Sequence, residues 1–289
     1  MTMTQTATAA SSKTKVLTLA QVDAYRRNGY HFPSRALSAD EALTYRNKLE
    51  SAEASLGGPL RGPLRNKPHL LFTWAADLVR HPAILDAVED VLGPNLLCWS
   101  SSFFIKEKRD PSYVSWHQDS TYWGLSRPDI VTAWVAFSVS EVANGCMRVI
   151  PGSHLKDQLP HKDTFAENNL LTRGQEVAVQ VDANAAVDIE LQPGEFSLHH
   201  VRIVHGSEPN PADYRRIGYA IRYLPTDVRQ VVGARDSATL VRGVDDFHYF
   251  DAEPRPKADL DPEAVALHKQ ITEAADQVLY RGTDKIKPK

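Results

Sequence analysis

The chain has 289 residues, of which 42% are hydrophobic and 24% are charged, and this composition excludes a disordered or fibrous protein. Its longest apolar runs are strand-sized and fall short of the roughly 20 residues that a membrane span needs. The net charge of −3 provides no dense basic surface for nucleic acid, so we expect a small-molecule partner. Because two cysteines cannot form a disulfide framework and no secretory signal is evident, we expect a cytoplasmic protein. The oligomeric state, monomer or homodimer, is left open.

The N-terminal third of the chain is predicted to be mostly helical. Residues 1–16 are polar and unpatterned, which predicts a disordered tail. Helix-capping residues and apolar spacing then predict three helices. The first begins after Thr18, buries Leu19, Val22 and Tyr25, and ends at Gly29; the second runs from Ser38 to about Ser55; the third runs from Pro82 to Gly93.

From Asn95 onward, short β-branched and aromatic runs bounded by turn residues predict antiparallel strands. The strands are expected near 96–107, 130–139, 146–150, 187–191, 195–200 and 217–223. The long polar stretch 154–176 between two of them is expected to be a lid over a site. A closing helix is predicted from Pro262 to Leu279. The fold class is therefore mainly β with flanking helices, a double-sheet jelly roll. One domain is expected over 17–289, with a helical part at 17–94, a jelly-roll core at 95–223 and an extension at 224–289.

A metal-binding pattern follows a predicted strand. His117 and Asp119 are two residues apart, so in an extended backbone their side chains point to the same side. An imidazole and a carboxylate that converge in this way make two thirds of a 2-His-1-carboxylate triad, the set that holds Fe(II) with positions left open. His205, at the end of a later strand pair, is the candidate for the third ligand.

An ordered set of short motifs extends this pattern over residues 96–223. The motifs are Asn144-Gly145-Cys146-Met147, Pro151-Gly152-Ser153-His154, Pro193-Gly194-Glu195, His205-Gly206-Ser207 and Arg216. In this order they resemble the phytanoyl-CoA dioxygenase family of iron(II)- and 2-oxoglutarate-dependent oxygenases. The resemblance implies a double-stranded β-helix, also described as cupin-like. It also implies a hydroxylase that consumes 2-oxoglutarate and O2, with Fe(II) held by His117, Asp119 and His205.

The resemblance also implies a site for the cosubstrate. Arg216 follows His205 by eleven residues, the family spacing for the arginine that pairs with the far carboxylate of 2-oxoglutarate, and Ser207 matches a hydroxyl on the same carboxylate. A guanidinium fork suits that bidentate role. Arg215 and Arg222 are rivals, which we expect to make surface or inter-strand pairs instead. Halogenating relatives replace the carboxylate ligand with a small residue, so Asp119 implies hydroxylation, desaturation or ring closure.

Several neighbours of the predicted triad have two open interpretations. Trp123 is expected either to wall the iron pocket or to lie in the core. One of His199 and His200 should face inward, either toward substrate or into a buried hydrogen bond. Gln118, between two ligands, should face away from the iron, and the family keeps His154 for structural reasons.

Candidate substrate residues are those that the family pattern leaves unexplained. They are Arg61, Arg65, Lys67, His69 and Arg148, together with the polar lid, including Asn168. If several of them converge, an anionic group on a small substrate is implied. The runs 117–125 and 163–171 look like the bacterial branch of the family that includes 2-aminoethylphosphonate dioxygenase, which makes this compound the leading example.

Three alternative functions remain open from the sequence. The first is a cupin-like binder of metal or small molecules without catalysis. The second is a zinc hydrolase that uses the same three ligands with an activated water. The third is a dioxygenase of the same family that acts on an acyl-CoA or a natural product. Consumption of 2-oxoglutarate would distinguish the first two from an oxygenase.

Overall fold

Helix ends in this protein are set by side chains that satisfy unpaired backbone groups. The structure is a computed structural model that describes residues 14–285. At the first helix the Thr18 hydroxyl accepts a hydrogen bond from the Gln21 amide, and the Gln21 side chain accepts one from the Thr18 amide. Gly29 ends the helix at a φ of 83°, and a Cβ there would overlap the ring of His154. Glycine is therefore required at this position.

The described residues contain five α-helices, and the four that were predicted are confirmed. They are α1 (Leu19–Asn28), α2 (Ala39–Ser55), α3 (Thr73–Leu78), α4 (Pro82–Leu92) and α5 (Pro262–Leu279). Helix α3 was not predicted, because six residues are too few to show a helical period. The buried face of α1 was predicted correctly for Val22 and Tyr25 but wrongly for Leu19, which is 60% exposed. The predicted disordered tail lies mostly outside the described residues.

Thirteen strands in the described residues form two main sheets and one small pair. The strands are β1 (Tyr30–Arg35), β2 (Leu96–Lys106), β3 (Val114–His117), β4 (Val131–Ala136), β5 (Met147–Val149), β6 (His161–Asp163), β7 (Gln175–Val177), β8 (Val187–Ile189), β9 (Glu195–His200), β10 (His205–Ser207), β11 (Arg216–Pro225), β12 (Ser237–Arg242) and β13 (Asp251–Ala252). The larger sheet has the order β1-β9-β4-β11-β2-β12-β13, and the smaller has the order β3-β10-β5-β8. Strands β6 and β7 pair with each other.

The six predicted strands are confirmed, and the strands that were missed are short or polar. Strand β1 contains His31, Pro33 and Ser34 and forms through its pairing with β9. Because of this strand, the N-terminal third is less helical than predicted. Strand β10 has three residues. Neither shows the alternation of apolar and polar residues that identifies a strand in a sequence.

Strand β11 separates the main core from the interior between the two sheets. Its odd-numbered residues from Ile217 to Tyr223 pack into the main core with residues from the helices, such as Ile84 of α4. Its even-numbered residues face the smaller sheet, where Ala220 packs with Met147 of β5. Side chains alternate along a strand, so one face of β11 carries the core and the other faces an interior space.

The later part of the chain covers one end of that space. Within the predicted lid, β6 and β7 form an antiparallel pair, so this segment is partly regular structure. Helix α5 buries His268 and Thr272, whereas its apolar residue Val265 is 38% exposed. Over residues 14–285, no helix combines the length and the apolar character that crossing a membrane would require.

A buried ion pair fixes the chain after β12 to the wall of the larger sheet. The Lys67 ammonium lies 2.5 Å from one carboxylate oxygen of Glu253, and the His69 ring lies 3.1 Å from the other. The hydroxyls of Ser237 and Thr239 each donate to this carboxylate at 2.8 Å. Burial alone would raise the pKa of Glu253, but Lys67 and His69 lower it well below its ordinary value of 4.5.

We expect Glu253→Gln to lower the free energy of unfolding by about 3–5 kcal/mol at pH 7, because Lys67 would stay buried without its partner. Since the folded-state pKa is depressed, this stabilisation is present above pH 4.5 and is lost as the pH falls below it. Urea unfolding from pH 3 to pH 8 measures both effects. Glu263→Gln, which breaks an exposed pair with Lys257, is the control and should change stability much less. Equal effects of the two variants would contradict the prediction.

Candidate metal centre and adjoining cavity

Two paired strands and the turn after one of them bring three potential metal ligands together. His117 is the last residue of β3, His205 is the first of β10, and the two are direct partners in the antiparallel pairing. Their ring centroids are 4.1 Å apart. Asp119 follows β3 by two residues and begins a short 3₁₀ turn. One ligand atom from each of the three residues lies within 4.8 Å of the others, so one ion could contact all three.

Hydrogen bonds on the far side of each histidine ring orient the ring for a metal. Nδ1 of His117 lies 2.9 Å from the carbonyl oxygen of Ser115, and Nδ1 of His205 lies 3.0 Å from that of Ile203. A carbonyl can only accept, so each Nδ1 is the protonated nitrogen and each Nε2 keeps its lone pair. Metal-binding histidines typically have such an outer partner. The donor set therefore fits Fe(II).

The charge states of the same groups also suit a divalent ion. Burial opposes ionisation of Asp119, but the imidazoles beside it and the Arg222 guanidinium hold the pKa of this carboxyl well below its usual range. Burial keeps the pKa of His205 well below its usual value. Neutral imidazole and ionised carboxylate are the forms that bind metal.

A narrow pocket beside the three ligands has a buried arginine in its wall and a buried lysine behind it. Arg216 and Ser207 line the pocket, and the Arg216 guanidinium lies 5.5 Å from the centre of the Trp134 ring and donates to the Gly145 carbonyl. Lys106 is the strand partner of Arg216 and places its Nζ 2.7 Å from the Ser207 hydroxyl. In the described part of the chain neither basic side chain has a carboxylate within ion-pair distance, and Nε of Arg216 has no hydrogen-bond partner. This arrangement fits an anionic group supplied from outside the chain.

Lys106 is a functional candidate that the sequence interpretation missed. Its burial, together with the neighbouring charge of Arg216, lowers its pKa to about 6. Its ammonium also contacts the backbone carbonyls of Gly145 and Glu208. Lys106 could have been identified only from the register of β2 against β11, which places it opposite Arg216. A sequence alone does not show which residue of one strand lies opposite which residue of another.

A wider cavity of about 630 Å³ opens next to the narrow pocket. Phe104, Asp119 and Arg222 line both spaces and so form the junction between them. The cavity volume is in the range of pockets that hold drug-sized ligands. The metal-ligand cluster therefore lies at the inner end of a space that is large enough for an organic substrate.

A β-bulge gives this cavity its aromatic wall. In the pairing of β11 with β2, Arg222 lies opposite Ser100, whereas Tyr223 lies opposite Cys98, so Trp99 is the extra residue. A bulge re-aims side chains, and both Trp99 and Ser100 line the cavity. Trp99 packs on Trp123 with ring centroids 4.9 Å apart. Trp123 thus lines the wide cavity and packs partly against a core cluster, so its role toward the iron stays a prediction.

The predicted substrate residues divide into two groups. Trp123, Arg65 and Lys67 line the cavity, although Lys67 is already paired with Glu253, as His69 is. Three others are not among the residues that line it. Arg61 and Asn168 are exposed, and the Arg148 guanidinium pairs with Asp188 at 2.9 Å and lies over the Trp116 ring. Arg61 and Asn168 lie in loops, and the alternation of side chains along β5 puts Arg148 on the face opposite Met147.

The rival arginines also have different environments. Arg215 pairs with Glu53 at 2.9 Å and with Glu107 at 2.8 Å, which confirms the expected ion pairing. Arg222 is not a surface residue, because it is 8% exposed and faces the cavity.

Four neighbours of the triad have the orientations predicted for them. His199 faces the narrow pocket, whereas His200 packs against His154. His154 bonds the carbonyl of Arg26 and so has a structural contact. The Gln118 side chain donates to the carbonyl of Arg202 and faces away from the ligands.

The predicted lid contributes part of the cavity wall through Leu170, Leu171 and Thr172. Arg173, which also pairs with Asp163, donates to backbone carbonyls at the end of α5 and just after it. The segment thus lies between the metal-ligand turn and α5, and its role as a lid stays a prediction.

Comparisons with known proteins bear on this site. The family model described as Phytanoyl-CoA dioxygenase (PhyH) matches residues 25–218. The chain is 30% identical over 168 residues to a probable alpha-ketoglutarate-dependent hypophosphite dioxygenase of Stutzerimonas stutzeri, covering 57% of this chain and 58% of that protein. It is 24% identical over 201 residues to the peroxisomal phytanoyl-CoA dioxygenase of Homo sapiens, covering 68% and 54%. The chain thus spans less than two thirds of the length of these curated relatives.

Solved structures share the architecture over most of the chain. The apo form of the non-heme monooxygenase ThoJ superposes with a TM-score of 0.81 at 36% identity, covering 90% of this chain and 98% of that one. CytC3 with Fe(II) and alpha-ketoglutarate has a TM-score of 0.60 at 24% identity, covering 81% and 91%, and shows a shared fold. The predicted jelly roll is confirmed.

We expect His117→Ala and His205→Ala to lower Fe(II) affinity by more than the roughly 10- to 100-fold typical for loss of an outer-shell partner. Anaerobic metal titration by calorimetry, with metal content measured after desalting, gives the affinity. His200→Ala is the matched control and should bind iron normally, because its ring faces away from the narrow pocket. Retained iron in His205→Ala together with lost iron in His200→Ala would contradict the assignment.

Proposed function

The chain belongs to the phytanoyl-CoA dioxygenase family, and from this membership we propose that it is an Fe(II)- and 2-oxoglutarate-dependent dioxygenase. It hydroxylates an unactivated C–H bond of an organic substrate and releases succinate and CO2. The observation that carries the proposal is the convergence of His117, Asp119 and His205 within 4.8 Å, next to the buried Arg216 guanidinium, which has no carboxylate partner in the described residues.

In this proposal the three clustered residues hold Fe(II). Bound iron and 2-oxoglutarate supply the oxidising chemistry, while the protein positions the target carbon and excludes water. The carbonyls of Ser115 and Ile203 keep the two imidazole rings in the required tautomer and orientation. Asp119 remains ionised in its buried position and completes the ligand set.

The narrow pocket takes the far carboxylate of 2-oxoglutarate. Arg216 offers a planar fork of donors, and Lys106 and Ser207 add an ammonium and a hydroxyl beside it. Charge-assisted hydrogen bonds of this kind are the strong ones, and burial excludes the water that would compete for them. The cosubstrate thus lies between the metal ligands and the cation pair, which leaves the wide cavity for the substrate.

The buried Arg216 argues against the alternatives from other classes. A zinc hydrolase or a metal binder without a cosubstrate has no need of a buried arginine that awaits an anion, since an unpaired buried charge is costly. A 2-oxoglutarate-dependent oxygenase uses it in every turnover. The presence of Asp119, where halogenating relatives have a small residue, favours hydroxylation.

A small phosphorus-containing anion is the second candidate substrate. The relative from Stutzerimonas stutzeri, named for hypophosphite, favours it, and 2-aminoethylphosphonate was the leading example from the sequence. The cavity of about 630 Å³ favours a larger molecule, because such a phosphonate would leave most of it unfilled. An acyl-CoA or a natural product also fits the volume.

Succinate formation tests this function directly. Protein loaded anaerobically with Fe(II) is mixed with oxygen, 2-oxoglutarate and a panel of phosphonates, aromatic and aliphatic carboxylates and acyl thioesters. Stimulation by one compound supports the oxygenase and identifies its substrate class. No succinate from protein shown to hold Fe(II) would contradict the proposal and favour a binding protein, and Asp119→Ala serves as the inactive control.

We expect the affinity for 2-oxoglutarate to fall as the pH rises above 6, by up to about tenfold per unit. The reason is that Lys106 has a pKa of about 6 in the free protein, and a bound carboxylate raises it, so binding takes up a proton. Calorimetry in buffers of different ionisation enthalpy, from pH 6.5 to 8.5, measures the uptake. Lys106→Met should bind more weakly and with less pH dependence. A pH-independent affinity in the unmodified protein would contradict the prediction.

Arg216→Ala should mainly raise the KM for 2-oxoglutarate, because the bidentate partner of its far carboxylate is lost. Steady-state succinate formation at several cosubstrate concentrations measures this. Arg148→Ala removes an arginine that is paired outside the pocket and should leave the KM unchanged. A lower kcat with an unchanged KM in Arg216→Ala would place the arginine in another role.

A further inference from the structure

The inner face of β11 has an arginine at each end of the site. Arg216 and Arg222 are six residues apart on the same face, which separates their α-carbons by roughly 20 Å along an extended strand. Arg216 lines only the narrow pocket, whereas Arg222 lines both the narrow pocket and the wide cavity. Of these two arginines, Arg222 is therefore the one that faces the wide cavity.

Arg222 is a buried cation with incomplete partners. One Nη donates to the hydroxyl of Ser102 at 3.1 Å, and the guanidinium lies 5.2 Å from the centre of the Trp123 ring. Its Nε has no hydrogen-bond partner, and within residues 14–285 no carboxylate comes within ion-pair distance of it. Arginine does not lose its proton at such a site, so the charge needs a counter-ion.

The acidic group that acts on Arg222 most strongly is Asp119. In the proposed function that carboxylate is a metal ligand, so its charge is shared with a divalent cation and no longer balances the guanidinium. Lys67 and Arg235 also line the cavity but have their own partners in Glu253 and Asp251. Arg65 and Arg281 line it as well, but Arg65 is only partly buried and donates to the Leu60 carbonyl, and Arg281 is exposed. Arg222 is thus the buried cation of the cavity that has no carboxylate partner in the described residues.

An apolar aromatic surface adjoins this charge. The bulge in β2 turns Trp99 toward the cavity, and the Trp99 indole nitrogen donates to Asp236 at 2.6 Å, which fixes the ring. Trp123 lies between Trp99 and the Arg222 guanidinium. Phe104 and Leu171 extend the apolar lining. A flat or bulky apolar group can pack on such a wall while an attached acid reaches Arg222.

We propose that the substrate is an organic acid with an aromatic or similarly bulky apolar body. Its carboxylate or phosphonate pairs with Arg222, and its body packs against Trp99 and Trp123. This pairing holds a carbon near the acidic group beside Asp119, because Arg222 and Asp119 lie together at the junction of the two spaces. The inference rests on the proposed function and specifies the substrate class for the same site.

A matched pair of ligands tests the charge requirement. Calorimetric titrations use protein loaded with Ni(II) and saturating 2-oxoglutarate, which cannot turn over. The probes are naphthalene-1-acetate, its neutral amide, naphthalen-1-ylmethylphosphonate and 2-aminoethylphosphonate. We expect at least one aromatic acid to bind at least tenfold more tightly than the amide and than 2-aminoethylphosphonate.

Variants of two arginines in the cavity show which residue causes the preference for the acid over the amide. Arg222→Gln should abolish the preference for acid over amide, and Arg222→Lys, which keeps the charge, should retain part of it. Arg235→Gln is the matched control, because Arg235 lines the same cavity but is half-exposed and paired with Asp251. It should leave the preference unchanged. If Arg222→Gln proves unstable in a thermal melt, the wild-type comparison and Arg222→Lys still decide the result.

Three outcomes would overturn the inference. They are equal binding of acid and amide, survival of the acid preference in Arg222→Gln, and failure of every aromatic acid to bind. Tight binding of 2-aminoethylphosphonate alone would favour the small-anion substrate instead.

Uncoupled succinate formation with Fe(II) and 2-oxoglutarate alone separates this inference from the proposed function. The wild-type protein should show it, and Arg222→Gln should raise the KM for 2-oxoglutarate much less than Arg216→Ala does. An equal rise in the two variants would show that Arg222 serves the cosubstrate, which overturns the substrate class while the dioxygenase assignment stands. Loss of succinate from iron-loaded wild-type protein would instead contradict the proposed function.

Discussion

The alternation of side chains along β11 is the constraint on which the rest of the structure depends. One face of this strand supplies Ile217, Tyr219, Ile221 and Tyr223 to the main core, and the other must then face the space between the sheets. A Cβ at Gly218 would overlap the Trp134 ring, so the strand accepts this ring only because it has a glycine there. The same pleat that stabilises the fold thus places two arginines in the interior.

Unpaired positive charge between the two sheets lowers the stability of the folded protein, and only a bound anion can offset this. Buried cations without partners destabilise a folded protein, and natural cores normally pair them, as Lys67 is paired with Glu253. Arg216 and Arg222 lack such a carboxylate in the described residues. The free protein therefore gives up stability at this site, and bound anions restore it, so binding and stability are coupled. A structural role alone would not explain two such residues around one cluster.

Much of this site could be predicted from the sequence, because its chemistry is local. His117 and Asp119 are two residues apart, and the spacing from His205 to Arg216 is fixed along the chain. Lys106 and Arg222 were missed or misjudged, since their positions depend on strand register and on a bulge at Trp99, neither of which is a local pattern. The fold shows the same division. Long, capped helices and apolar strands were predicted, whereas the three-residue β10 and the polar β1 exist only through their partners.

The wall of the wide cavity is assembled from segments that lie far apart in the chain and mostly outside the metal-ligand strands. Four segments contribute to it: the segment before β2, the 154–176 segment, the loop after β11, and α5. The ligand cluster, in contrast, is confined to β3, β10 and the turn after β3. Substitutions, insertions or exchange of the peripheral segments can therefore reshape the cavity without moving His117, Asp119 or His205. This separation makes the outer segments the natural place to redesign specificity.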